Sequence, residues 1–123
     1  MSFKLEFKPI AKALERHAAE IVRDTAFGIQ ADIRQGMAEE KHGHQSGNHT
    51  ASAPGESPAI DTSFLVNSIQ VEADGLTAIV GTNADYAEHL EFGTVRMEPR
   101  PYFGPAFENA APEFERRLQE LAR

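Results

Sequence analysis

Apolar and polar positions alternate at the start of the chain, with Phe3, Leu5 and Phe7 set against Lys4, Glu6 and Lys8. A period of two with one apolar side is the pattern of a half-buried strand. Pro9 ends the strand and suits the first position of a helix. The period then lengthens. Ile10, Leu14, Ala18, Ile21 and Thr25 form one stripe. Val22, Ala26, Ile29, Ile33 and Met37 form a second, rotated from the first by roughly a quarter turn at 3.6 residues per turn. The spacing predicts a helix from about Pro9 to about Glu40. Asp32 falls on the extension of the first stripe, so the two halves should not bury the same face against the same neighbour. Gly28, near the crossover, is a weak point. Thirty helical residues span roughly 45 Å, more than the width of a small domain. Either the helix bends around its own core, or its distal half overhangs and packs on a second subunit.

From Ala38 to Asp61 the pattern stops. The stretch is rich in Gly, Ser, Asn, His and Pro, with almost no large apolar side chain to offset the entropy of ordering. Connections of this length are uncommon in compact domains and are usually functional or disordered. It reads as a mobile loop. Asp61 or Thr62 can then cap a short turn carrying Phe64 and Leu65. Beyond it, Ser68 to Ala73 and Leu76 to Gly81 flank Asp74-Gly75, a favoured two-residue hairpin turn. That turn sets Ala73 opposite Leu76, Val71 opposite Ala78 and Ile69 opposite Val80, all on one apolar face. Ser68, Gln70, Glu72 and Thr77 make the other face polar. Ile79 points outward among them and marks a place where another element or subunit covers the sheet.

Asn83 to Phe107 is the most informative stretch. Asn83 is a good N-cap, and Asp85 in the first turn suits the helix dipole. Tyr86 and Leu90, four apart, share a face. Gly93 after Phe92 can take the left-handed conformation that closes a helix. Glu91 lies in the last turn, where the dipole disfavours a carboxylate. It is either solvated or paired with Arg96 or Arg100. Arg100 precedes a proline and is pushed toward an extended conformation. Gly104-Pro105 then opens a helix with proline at its first position. Phe107, Ala110, Ala111, Phe114, Leu118 and Leu121 form its apolar stripe. Pro112 interrupts it, as a kink that curves the helix around the sheet or as a break between two helices.

Composition narrows the reading. The 123 residues make one domain with room for a modest core. No stretch approaches the length of a membrane span, and no signal-peptide pattern is visible between Met1 and Pro9. Cysteine is absent, which removes disulfides and thiol chemistry. The formal net charge of -7 argues against general affinity for nucleic acid. Lys8, Lys12, Arg16 and Arg23 line one side of the first helix, opposite its apolar stripe, as a solvated face does.

Candidate chemistry adds little. No phosphate-binding glycine loop, nucleophile elbow or HExxH occurs. His42, His44 and His49, beside Glu39 and Glu40, could ligate zinc or nickel, but a Gly/Ser-rich loop offers neither rigid geometry nor supporting contacts. Asn48-His49-Thr50 matches a glycosylation sequon, but nothing marks the chain as secreted. Asp85, Glu88, His89 and Glu91 form a polar cluster without a nucleophile or an enclosing pocket. Tyr86, Phe92, Tyr102 and Phe103 are core or interface anchors before they are ligand contacts. No catalytic, cofactor-binding or metal-binding residue is assigned.

The run Tyr86-Ala87, Glu91-Phe92-Gly93-Thr94, Arg100-Pro101-Tyr102-Phe103 and Pro105-Ala106 resembles a phage tail-component family, the head–tail joining (neck) group named after gene product ten of a lambdoid phage. Its pattern is YA-xxx-EFGT, a short gap, then RPF-xx-PA and a helix. Tyr102 is inserted where the family often passes straight from Pro to Phe. Upstream, Ala53-Pro54-Gly55-Glu56, Pro58-Ala59, Asp61-Thr62, Leu65 and Ser68 are similar to the family's PGE-x-PA-x-DTG-x-L-xx-S run, with Ser63 where Gly is common. The resemblance implies a virion protein of the head–tail junction, present in the host cytoplasm during assembly. It further implies a homo-oligomeric ring around the DNA channel that docks on connector and tail proteins, with the 38–61 loop ordering on assembly. An acidic subunit suits a DNA conduit, because a negative lumen does not grip the passing duplex.

The expectation is thus an α+β domain over residues 1–123: a small antiparallel sheet with a long N-terminal helix and a C-terminal helix packed on it. Tyr86, Ala87, Glu91, Phe92, Gly93, Thr94, Arg100, Pro101, Phe103 and Pro105 are its candidate interface residues. No sequence-specific binding of nucleic acid and no membrane contact are expected. Two alternatives stand beside it: a small metal-dependent enzyme using the His-rich loop, and a cytosolic adaptor binding a peptide along a free sheet edge.

Overall fold

A computed structural model describes residues 1–6, 14–39, 41–43, 45–46, 49–56 and 64–121. Phe7, Lys8, Pro9, Ile10, Lys12, Glu40, His44, Asn48, Pro58, Ala59, Asp61, Thr62 and Ser63, on which parts of the sequence reading rest, lie outside the described residues. The architecture is α+β. Strand β1 (Ser2–Glu6) leads to helix α1 (Glu15–Ala38). The 38–61 stretch contains a two-stranded ladder, β2 (Gln45–Ser46) with β3 (His49–Thr50). Helix α2 (Phe64–Ser68), the hairpin β4 (Gln70–Asp74) and β5 (Thr77–Gly81), helix α3 (Ala87–Phe92) and helix α4 (Phe103–Leu121) follow.

The main sheet is antiparallel in the order β1-β5-β4, so the N-terminal strand pairs with the far arm of the hairpin. Phe3 lies opposite Val80 and Leu5 opposite Ala78, which puts the apolar side of β1 on the inner face. Helices α1 and α4 pack together on that face. Phe3 meets the rings of Phe103 and Phe107 at centroid distances of 5.3 and 5.1 Å, which fastens the start of α4 over β1.

The second stripe of α1 supplies much of the core: Val22, Ala26, Ile29, Ile33 and Met37 are all buried with Ile69, Ala78, Val80, Tyr102 and Phe103. Ala18 and Ile21, from the first stripe, are buried too. The 24-residue helix is about 36 Å long, yet it does not overhang. Met37, at its distal end, is only 2 % exposed within its own chain. A second subunit is therefore not needed to cover it. The last turn is closed by Lys41, whose Nζ donates to the Gly36 carbonyl.

The hairpin differs from expectation by its turn. Gly75 and Leu76 form the loop, and Asp74 pairs with Thr77, Ala73 with Ala78 and Val71 with Val80. Both primed hairpin turns need positive φ at their first central position, and Gly75 supplies it there with φ 58°. The register slides by two residues, not one. Because side chains alternate with a period of two, the apolar face expected of the hairpin is preserved. Ile79 sits half-buried on the outer face between Lys4 and Glu72.

Helix α4 runs unbroken through Pro112, so the two-helix alternative does not hold. The proline lies on the exposed side, where its missing N–H leaves only the Glu108 carbonyl without its helical donor. One turn on, Arg116 pairs with Glu113 and Glu120 across the same face. The helix also starts at Phe103, so Pro105 is its third residue, still among those whose N–H would find no helical acceptor.

Candidate docking site

The stretch from α3 to the start of α4 is assembled by its backbone. Asn83 is not the cap. The chain turns first: Thr82 Oγ1 accepts the Ala84 N–H at 3.1 Å and lies 2.6 Å from Ser68 Oγ. Ser68 Oγ in turn donates to the Leu65 carbonyl at 2.7 Å. This buried hydroxyl relay ties α2 to the end of β5. It uses the local bonding by which Ser and Thr compete with helix, so α3 begins only at Ala87, with Tyr86 at the cap position and no side-chain cap bond.

Glu91 is the centre of the arrangement. It is 6 % exposed and pairs with neither Arg96 nor Arg100. The N–H groups of Tyr102 and Phe103 donate to Oε1 at 3.0 and 2.7 Å, and that of Gly104 donates to Oε2 at 3.0 Å. A carboxylate on the last turn of α3 thus caps the first turn of α4. The charge leaves a carbonyl end, where the dipole opposes it, for an amide end, where the dipole favours it. Charge-assisted bonds of this kind are the strong ones. Gly104 fits because a Cβ there would lie 3.1 Å from Oε2.

Two more bonds lock the helices. The Tyr102 hydroxyl donates to the Ala87 carbonyl at 3.1 Å, and the Arg100 N–H donates to the Leu90 carbonyl at 2.6 Å. Burial, reinforced by the Glu91 charge, holds the Tyr102 phenol well above its usual pKa. It stays a neutral donor.

Gly93 ends α3 with φ 76° and ψ 177°. The φ is positive as expected, but the ψ is extended, a combination almost confined to glycine. A Cβ there would meet the Met97 carbonyl oxygen at 2.8 Å and Pro99 at 3.0 Å. The chain folds back at once: Thr94 and Met97 exchange backbone bonds of 2.8 and 3.3 Å, with Val95 and Arg96 at the tip. Pro99 and Pro101 carry the return, and the Pro99 carbonyl accepts the Gly55 N–H at 3.0 Å. Arg100 Nε donates to the Ser52 carbonyl at 3.2 Å. Part of the 38–61 stretch is therefore tied to the scaffold.

Within that stretch, Glu56 collects three donors. Its Oε1 accepts the Ala53 and His42 N–H groups at 2.7 and 2.9 Å, and Oε2 lies 2.7 Å from His42 Nδ1. The Ala53 N–H first, then the His42 ring and N–H, hold the Glu56 carboxyl at about 2. His42 is thus engaged with a carboxylate. Among the described residues no group of three His, Cys, Asp or Glu is placed to hold a metal ion.

The expected site residues therefore separate into two sets. Ala87, Glu91 and Phe103 are buried structural members, and Tyr102 joins them. Phe92, 66 % exposed, Val95, fully exposed, and Tyr86 face solvent, with Thr94 and Pro105 also exposed. Gly93, Arg100 and Pro101 are half-buried hinges between the sets. Sequence reasoning missed Val95, because a lone valine in a polar stretch carries no periodicity. It also missed Thr82, whose hydroxyl role shows only once Ser68 is beside it.

No helix is long and apolar enough to cross a membrane among the described residues. None of the curated proteins and none of the solved structures compared with the chain matches it. One family model matches, described as "Bacteriophage HK97-gp10, putative tail-component", over residues 2–93. The match runs from β1 through α3 to its glycine stop. The Arg100–Ala106 run lies beyond it, tied back to the matched part by Glu91. With most of its 123 residues matched, the chain belongs to the HK97-gp10-like family of bacteriophage tail components.

Proposed function

We propose that the protein is a structural subunit of the phage head–tail junction that works by assembly and not by turnover. Copies form a ring around the DNA channel and dock on connector and tail proteins. The observation that carries this reading is the pairing of a rigid interior with an apolar exterior at one place. Glu91 and Tyr102 fix α3 against α4, and the scaffold so fixed presents Phe92, Val95 and Tyr86 to solvent. Exposed aromatics on a preorganised frame are the anatomy of an interface hot spot. The acidic composition fits a subunit lining a DNA path.

Deleting the gene from its parent phage tests the proposal. DNA-filled heads and finished tails should accumulate unjoined in electron micrographs, and the protein supplied in trans should restore joining. Joined, infective particles without the protein would overturn the junction assignment. Native mass spectrometry of the protein with its connector should give a ring of fixed copy number. A single copy per connector would overturn the ring.

A further inference from the structure

A second surface lies away from the α3–α4 scaffold: the outer edge of β4. The Thr82 N–H donates to the Met1 carbonyl at 3.0 Å, so the even residues of β5 turn their backbone groups toward β1 and the odd ones toward β4. In the register Asp74–Thr77, Glu72–Ile79 and Gln70–Gly81, the even residues of β4 therefore spend their N–H and carbonyl groups on β5. Ile69, Val71 and Ala73 turn theirs outward. The Ile69 carbonyl is satisfied by α1: Gln30 Nε2 donates to it at 2.7 Å and Arg34 Nη2 at 2.9 Å. Those side chains stand where an adjoining strand would begin. Among the described residues nothing bonds the outward groups of Val71 and Ala73.

The borders of this gap are specific. On the inner side Val71 is half-buried and Ala73 exposed, although both belong to the apolar face. Between Gln30 and the turn end of the hairpin, the same side of α1 carries Phe27, 43 % exposed, with the Arg23 guanidinium 5.6 Å from its ring centroid. On the outer side Glu72 and Asp74 are exposed.

We infer that the β4 edge takes an extended segment of another protein whose side chains alternate apolar and basic. Its backbone bonds Val71 and Ala73, its apolar side chains cover Ala73 and Phe27, and its lysines or arginines meet Glu72 and Asp74. This is strand addition at a sheet edge, with alternate side chains giving the choice of partner. A second copy of β4 is the wrong occupant. Antiparallel self-pairing that joins Val71 to Ala73 puts Glu72 directly opposite its counterpart, and like charges so placed are unfavourable. The inference does not depend on the junction reading, since it uses none of the scaffold residues.

The test adds a capped synthetic hexapeptide of alternating valine and lysine to the full chain and follows backbone amides by NMR, with a valine–glutamate hexapeptide as control. The Val71 and Ala73 amides should shift and exchange with solvent at least about tenfold more slowly with the lysine peptide. The control should bind at least about tenfold more weakly, as should the lysine peptide to Glu72→Lys; each tenfold is one decade in Kd. Ala73→Pro, which removes an edge donor, should abolish binding, and Phe27→Ser tests the inner border should that variant not fold. Shifts centred elsewhere, equal binding of the two peptides, or no binding at millimolar peptide would overturn the inference. So would self-association of the free chain that Ala73→Pro or Glu72→Lys alters, because that would give the edge to a second copy.

Discussion

Glu91 joins two helices through atoms that no side-chain inventory contains. Its mismatch with the α3 dipole is legible in the sequence. Its partners are not, because they are backbone N–H groups eleven to thirteen residues onward. Replacing Glu91 by Gln keeps the shape but puts an amide donor against the Gly104 N–H. A buried donor left unsatisfied costs about 1–3 kcal/mol, so Glu91→Gln should lower the unfolding free energy by that amount, read as a lower urea midpoint at unchanged m-value. An unchanged midpoint would show that the three bonds contribute nothing net. Gly93→Ala should cost about 1–3 kcal/mol for a different reason: backbone strain at positive φ, added to a Cβ set against the Met97 carbonyl. Its signature is local. Amide exchange at Thr94 and Met97 should accelerate more than in the core strands.

At the scale of elements, much was readable where periodicity is long. The second stripe of α1 is buried residue for residue, and the apolar face of the β4–β5 hairpin is the expected one despite a different turn. Asp-Gly names a favoured dipeptide, but Gly75 serves as the first loop residue and not the second. Only the closing pair Asp74–Thr77 reveals that choice. The stop signal at Gly93 is readable, whereas the start signal at Asn83 misleads, because Thr82 takes the turn and Tyr86 the cap position. Short polar segments resisted for the opposite reason: their order comes from bonds that carry no periodicity, as where Ser52 accepts from Arg100, Gly55 donates to Pro99 and the Glu56 carboxylate gathers Ala53 and His42. The last of these gives a pH dependence. Glu56 has a folded pKa of about 2 against an ordinary 4.5. A depressed carboxylate contributes stability that is fully present above its unfolded value and lost as pH falls through the folded one. Protection of the His42 and Ala53 amides, taken against their intrinsic exchange rate at each pH, should therefore fall between pH 4.5 and about 2 while the core strands stay protected. Glu56→Gln should lack that protection already at neutral pH and show little further change in it across that window. If acid left the two amides untouched until global unfolding, Glu56 would not be what holds them.

For the whole molecule the question is which surface meets the rest of the virion. The interior is saturated: no buried side-chain polar atom among the described residues lacks a partner, so assembly does not have to supply a missing bond. What remains open on the α3–α4 scaffold is apolar and exposed. Phe92 and Val95 touch little of their own chain, and truncating exposed side chains usually changes stability by less than about 0.5 kcal/mol. At an interface the same truncation removes an anchor, and an anchor is worth about 2 kcal/mol or more, a factor above tenfold in affinity. The double variant Phe92→Ser, Val95→Asp separates the two roles. Its urea midpoint should match that of the parent chain. On the proposed junction role, its ability to restore head–tail joining to a phage lacking the gene should fall by at least about tenfold, measured as infective particles per cell. Glu91→Gln supplies the contrast: it should lose stability first and joining only as the folded fraction falls. A double variant that folds normally and joins normally would remove this patch from the junction and leave the docking surface to be sought on another face.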